Sequence, residues 1–148
     1  MVWKPHVTVA AVIERDGEFL LVEEKTDEGI RFNQPAGHLE SGESLTEAVV
    51  REALEETAYV FVPRFLVGIH HWRHPQKEIT YLRFAFGGEI AGYDASRTLD
   101  MGILGVRWLS LDDIRASADR HRSPMILRCV EDWLAGRRYP LELVTRYA

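Results

Sequence analysis

The chain has a single cysteine, Cys129, among its 148 residues. One thiol cannot close an internal disulfide, and without a second cysteine or a nearby Cys/His cluster it gives no zinc signature. Cys129 therefore reads as a small apolar core residue. Long hydrophobic runs are also missing. No stretch approaches the roughly 20 apolar residues of a membrane span, and the N-terminal MVWKPHVTVA lacks the basic, apolar, small-residue order of a signal peptide. A cytoplasmic protein with no membrane association is expected. Positive charge is in short supply: 18 Lys and Arg stand against 23 Asp and Glu, for a net charge of −5. That balance argues against nucleic-acid polymers and anionic membranes as partners. Small anions are still allowed, because a bound divalent cation reverses the local field whatever the global sign.

What is present suits one globular domain spanning residues 1–148, since 46% hydrophobic content is ample for one core. Val7 to Ile13 is apolar and rich in β-branched residues, Arg15-Asp16-Gly17-Glu18 supplies a turn, and Phe19 to Val22 resumes the apolar run. The pattern predicts a β-hairpin, because Asp-Gly tolerates the positive φ angles of tight turns. Lys25 to Ile30 is polar and predicts a mobile loop, followed by a short extended stretch from Phe32 to Gly37. Ser44 and Glu47 form an S-x-x-E capping box that fixes the start of a helix. Val60 to Ile69 and Ile79 to Ile90 predict strands, separated by the histidine-rich His70 to Pro75. Gly87, Gly88 and Gly92 mark bulges or bends. Val106 to Leu109 is a short strand, and Ser110 caps a second helix. Ser123-Pro124 opens a third helix that stops near Gly136, with the tail running on to residue 148. Strands alternating with three helices predict a mixed α/β domain.

The first helix crowds its acids. Glu52, Glu55 and Glu56 stand at i, i+3 and i+4, so they project from one arc. Two of them sit in the last turn, where the helix dipole disfavours anions by about 0.3–1 kcal/mol each. A solvated acidic face is one reading of a bare E-x-x-E-E. The other is a set of ligands for a hard divalent cation such as Mg²⁺, which takes a few carboxylates together with phosphate oxygens.

The surrounding spacing favours the second. Gly37, Glu43, Arg51-Glu52-Ala53 and Glu55-Glu56 reproduce G-x5-E-x7-R-E-U-x-E-E-x-G-U, so the chain resembles the Nudix hydrolases over a box at residues 37–59. Two positions depart from it: Ala58 replaces the usual glycine, and Tyr59 the usual aliphatic residue. Because alanine resists positive φ, the turn leaving the helix is expected to differ slightly. The resemblance implies an α/β/α sandwich (α+β in the broad sense) with a mixed sheet and the loop-helix-loop box. It implies Mg²⁺, with Mn²⁺ as a possible substitute, held by Glu52, Glu55, Glu56 and the Gly37 carbonyl. Arg51 is expected to pair with Glu43 and hold the ligand array, and Glu52 is the first candidate for the general base. The reaction implied is hydrolysis of a small phosphorylated substrate by water attack on phosphorus.

A narrower likeness extends beyond the box. Asn33-Gln34-Pro35-Ala36-Gly37-His38-Leu39-Glu40, Lys4-Pro5-His6, Arg122-Ser123-Pro124 and Arg138-Tyr139-Pro140 resemble the NudJ-type Nudix phosphatases. That subgroup implies action on nucleoside tri- and diphosphates and on thiamine-type pyrophosphates, with release of orthophosphate. The competing expectations are a pyrophosphohydrolase of nucleotide sugars, dinucleoside polyphosphates or oxidised nucleotides, and a non-catalytic nucleotide-binding module. Phe32, Asn33, Gln34, Trp72 and Arg73 are candidate substrate contacts, with His70, His71 and His74 close by. Trp72 can stack a ring or simply pack at a strand end. Asn33 and Gln34 can orient a ring edge or satisfy loop backbone. Asp100 is a possible extra ligand or base, and Arg128, Arg137 and Arg138 lean over the site or face solvent. The assembly expected is a monomer or homodimer.

Overall fold

Along strand β1 (His6–Val12), successive side chains must leave on opposite faces. The computed structural model, which describes residues 1–147, turns that alternation into two cores. The elements following β1 are β2 (Glu14–Arg15), β3 (Glu18–Thr26), β4 (Gly29–Asn33), β5 (Ala36–His38), α1 (Leu45–Thr57), β6 (Tyr59–Arg73), β7 (Thr80–Tyr93), β8 (Ile103–Ser110), α2 (Leu111–Ala116) and α3 (Met125–Leu134). Short 3₁₀ turns lie at Ala118–Arg120 and Leu141–Leu143.

Four strands form a mixed sheet in the order β5-β1-β7-β6, with β1 parallel to β7 and the other pairs antiparallel. In the second sheet β3 pairs antiparallel with β8 along one edge and with β2 and β4 in turn along the other. Val9, Ala11, Leu20, Leu66 and Phe86 face α1 and pack with its Ala48, Val49 and Ala53. Val12, Phe19, Leu21, Val67 and Ala85 face the opposite way, onto Ile114 of α2 and Ile126, Cys129 and Val130 of α3. The result is the helix-sheet-helix sandwich expected, and each large side chain buried contributes roughly 1.5–3 kcal/mol.

The α1 capping box is complete: Glu47 N–H donates to Ser44 Oγ at 3.1 Å, and Ser44 N–H to Glu47 Oε1 at 2.9 Å. Ser110 caps α2 in the same way, through Asp113 N–H at 3.1 Å. At the entry to α3, Ser123 Oγ accepts from Met125 N–H at 3.1 Å. The strands after the box run longer than predicted, so His70 to Arg73 belong to β6. Register shifts in β6 lie opposite Gly87, Gly88 and Gly92, as bulges were predicted there. A β-carbon on Gly88 would strike the Val62 carbonyl. On its outer border β6 meets Tyr139, whose N–H and C=O exchange 2.8 Å hydrogen bonds with Leu66.

Three expectations need correcting. The Asp16-Gly17 turn exists, with φ of 53° and 82°, but it joins β2 to β3. β1 crosses to the other sheet, because its Val7 to Val12 ladder is taken by β7. Lys25 to Ile30 is not a mobile loop but a second hairpin, in which Lys25 pairs with Ile30 and Thr26 with Gly29. Polar residues suit an exposed hairpin tip as well as a loop, which is why composition misled. Finally, the helix exit keeps its left-handed turn: Ala58 has φ 64° and ψ 4°, with its N–H on Leu54 O at 2.9 Å. Alanine accepts there a strain of about 1–2 kcal/mol that glycine would avoid.

Candidate active site

The short β5 strand and α1 meet where the acids converge. A β-carbon on Gly37 would collide with the Glu52 carboxylate, so only glycine lets that carboxylate lie against the β5 backbone. Arg51 ties the loop before α1 to the helix. Its Nε and Nη2 donate to the two oxygens of Glu43 at 3.0 and 2.8 Å, a bidentate pair. Nη2 also donates to His38 O at 3.0 Å, and Nη1 to Glu52 Oε1 at 2.8 Å and Glu55 Oε2 at 3.2 Å. The Arg51 guanidinium holds the Glu43 carboxyl below its usual range, and in return is itself held above its own. The expected Arg51–Glu43 pair is therefore in place.

One guanidinium does not neutralise so many acids. Carboxylate oxygens of Glu52, Glu55 and Asp100 all lie within 4.8 Å of one another. Asp100 N–H also donates to Glu55 O at 3.0 Å, which places the loop before β8 beside the helix end. Burial pushes the Glu52 carboxyl up, against the pull of Arg51. Glu56 faces inward, where its Oε1 accepts from Ala36 N–H at 2.9 Å. Burial is the main reason its pKa is pushed up to about 9, with Glu24, Glu52 and Asp100 adding repulsion and the Ala36 hydrogen bond opposing. Of the three glutamates expected together, the structure gathers Glu52 and Glu55 with Asp100 and leaves Glu56 one step inside. Such an all-oxygen donor set, with the Gly37 backbone against Glu52, fits a hard divalent cation.

Glu52 and Glu56 line a cleft of about 430 Å³. The same cleft is lined by Arg83, Arg122, Lys77 and the rings of Trp72 and Tyr81. The two rings stack at 5.8 Å with planes 17° apart. Among the candidate substrate contacts, Asn33 and Trp72 line the cleft. Phe32, Gln34 and Arg73 do not line it. Phe32 is a core side chain with the Arg120 guanidinium 4.5 Å from its ring. Gln34 is 1% exposed and donates to Ile126 O at 2.8 Å. Arg73 is exposed and lies 4.0 Å from Glu78. Of the tail arginines, Arg128 and Arg137 hold Asp132, and Arg138 lies over the Phe65 and Trp133 rings.

Sequence reasoning missed Glu24, Arg83 and Arg122 as cleft residues. Arg122 Nη1 donates to Glu24 Oε1 at 2.7 Å. Arg83, 4% exposed, donates to Gln34 Oε1 and Asn33 Oδ1, both at 2.8 Å. The one available signal was an arginine in the middle of an apolar strand, Tyr81 to Phe86.

The NUDIX domain family matches residues 4–129, a span that contains both the carboxylates and most of the cleft. The chain belongs to the Nudix hydrolases. Phosphatase NudJ of Escherichia coli strain K12 is 40% identical to this Nudix hydrolase over 142 residues, 96% of this chain and 92% of its own. A NUDIX hydrolase of Nitrosomonas europaea superposes with a TM-score of 0.94 at 51% identity, covering 97% of this chain and 98% of its own. A MutT NUDIX hydrolase of Burkholderia pseudomallei shares the fold, with a TM-score of 0.75 at 21% identity over 88% of this chain and 98% of its own. A Nudix hydrolase acts on small phosphorylated substrates, and in general its family uses divalent metals. Among the described residues no helix is long and apolar enough to cross a membrane.

Proposed function

We propose that this Nudix hydrolase is a Mg²⁺-dependent phosphatase. It cleaves phosphoanhydride bonds of nucleoside tri- and diphosphates and of thiamine-type pyrophosphates, such as hydroxymethylpyrimidine pyrophosphate, and releases orthophosphate. The observation that carries the reading is the shortage of positive charge around Arg51, where Glu52, Glu55 and Asp100 converge beside a cleft that Glu52 and Glu56 share with Arg83, Arg122, Lys77 and Trp72. The 40% identity to Phosphatase NudJ over nearly the whole chain supports the substrate class.

Glu52, Glu55 and Glu56, with the Gly37 carbonyl, are the groups that would hold Mg²⁺ or Mn²⁺, and Asp100 joins them from the next loop. When bound, the cation supplies neutralisation of phosphate oxygens and a more acidic water. Arg51 and Glu43 are positioning residues that keep the loop and helix in one arrangement. Glu52, desolvated and pressed against Gly37, takes the proton from the attacking water. Arg122 and Lys77 counter charge on the departing phosphate, while Gln34 and Asn33 hold Arg83 at the cleft floor. The protein works in the cytoplasm as a single domain over residues 1–148, as a monomer or homodimer, without nucleic-acid polymer or membrane partners.

The deciding experiment offers nucleoside diphosphates and hydroxymethylpyrimidine pyrophosphate with Mg²⁺ and assays phosphate and pyrophosphate separately. Orthophosphate from the diphosphates is expected. Formation of only pyrophosphate or of two monophosphates across a broader substrate panel overturns the proposal.

A further inference from the structure

A second cavity, of about 460 Å³, opens beside the catalytic cleft. Five residues line both: Glu28, Trp72, His74, Arg122 and Ser123. The two spaces differ in chemistry. Carboxyl and basic side chains make up about half of the cleft's lining, from Glu24, Glu52 and Glu56 to Lys77, Arg83 and Arg122. The second cavity has no carboxylate but Glu28 and no cation but Arg122, and sets Trp72, Pro75, Ala118, Pro124 and Leu127 beside His74, Gln76, His121 and Ser123.

Resting on the phosphatase reading above, we propose that this second cavity is a subsite for the ring of the substrate, a planar heterocycle carried on a diphosphate ester. Charge sorts the two halves of such a molecule. The diphosphate belongs among cations and carboxylates that share a metal, and the ring belongs on apolar and aromatic walls, where burial is favourable. The shared residues form the doorway between them. Arg122 is fixed there, by Glu24 on its side chain and by a 2.9 Å hydrogen bond from its N–H to Phe32 O. Its guanidinium is half exposed, so donors remain for a phosphate passing through. Trp72 is held against Tyr81 and 5.2 Å from His74, which fixes the indole at the same boundary. The volume falls in the usual range for a small-molecule site, which is about 300–1,000 Å³.

The test fills the cavity from two independent walls. Ala118→Trp adds an indole from the exposed 3₁₀ turn, and Gln76→Trp adds one from the exposed β6–β7 loop, so neither change touches a core position. Each is compared with the unmodified protein on adenosine diphosphate and on methyl diphosphate, which has no ring. The expected result is a fall of about tenfold or more in the ratio of kcat/KM for adenosine diphosphate over methyl diphosphate, carried by KM, in both variants. An unchanged ratio in both variants overturns the subsite. Calorimetry in EDTA reads the same site without turnover: adenosine monophosphate should bind the unmodified protein more tightly than either variant. Equal affinity overturns the subsite. A protein that hydrolyses neither diphosphate instead strikes the phosphatase reading, and the calorimetric result then still decides whether the cavity takes the ring.

Discussion

Arg51 and Asp132 are each the hub of an ionic cluster, and the two clusters are inverted copies in charge. Around Arg51 one guanidinium serves Glu40, Glu43, Glu52 and Glu55 within 3.4 Å. Around Asp132 one carboxylate collects His70 Nε2 at 3.1 Å, Arg128 Nε at 2.8 Å and Arg137 Nε at 3.3 Å. Burial does not separate them, since Asp132 is 5% exposed and Glu52 and Glu56 are each 9% exposed. What differs is supply. The Asp132 carboxylate is saturated by side chains of this chain, whereas the α1 carboxylates are left wanting a positive charge from outside. Saturation marks a structural joint between α3 and β6, and deficit marks a place for a ligand.

The contrast can be broken at either hub. The largest expected effect is Glu56→Gln, which should lower turnover by about a hundredfold or more while leaving the fold intact by circular dichroism. The same variant reports on charge. Without metal, folded Glu56 keeps its proton to about pH 9, whereas the unfolded chain loses it near 4.5, so stability falls as pH rises through that window. Denaturation in EDTA at about pH 5 and about pH 8 should show that fall in the unmodified protein and a shallower one in Glu56→Gln. Equal slopes would mean that Glu56 is not the buried proton holder.

Asp132→Asn should do the reverse. It keeps an acceptor but not the charge that Arg128 and His70 surround, so a loss of about 2 kcal/mol in denaturant unfolding is expected. Turnover should stay within about twofold, because no ligand charge is at stake there. A turnover loss rivalling that of Glu56→Gln would erase the distinction between the two hubs. The smallest effect compares how the two helices end. α3 is followed by Gly136 at φ 79°, and α1 by Ala58 at φ 64°. Ala58→Gly should therefore raise stability by about 0.5–1 kcal/mol in thermal unfolding, while a matching gain is not available at residue 136.

The sequence carried the site's acids far better than its cations. Glu52, Glu55 and Glu56 are separated by one helical turn, and Ser44 and Glu47 fix where that helix begins, so local periodicity was enough. Arg83 and Arg122 join the cleft through partners 50 and 98 residues away, at Asn33 and Glu24. No short-range spacing encodes those meetings, because strand order decides them. The same holds for β1, whose apolar run was legible while its partner β7 was not. Phe32, Asn33 and Gln34 show the finer limit: one polar-looking segment sends Phe32 to the core, Asn33 to the cleft and Gln34 to a helix carbonyl. The register of β4 against β3 sets Phe32 and Asn33 on opposite faces, and Gln34 follows just past the strand's end.

The Leu66–Tyr139 bridge has a consequence away from the chemistry. β6 is the long outermost strand of its sheet, and a free row of peptide groups there would offer itself to an extended segment of any neighbouring molecule. The tail stitches that row at its middle, and the bulges on either side keep what is left from lying flat. At Leu66 the peptide groups are thereby already taken by Tyr139, which shortens the stretch of edge open to such pairing.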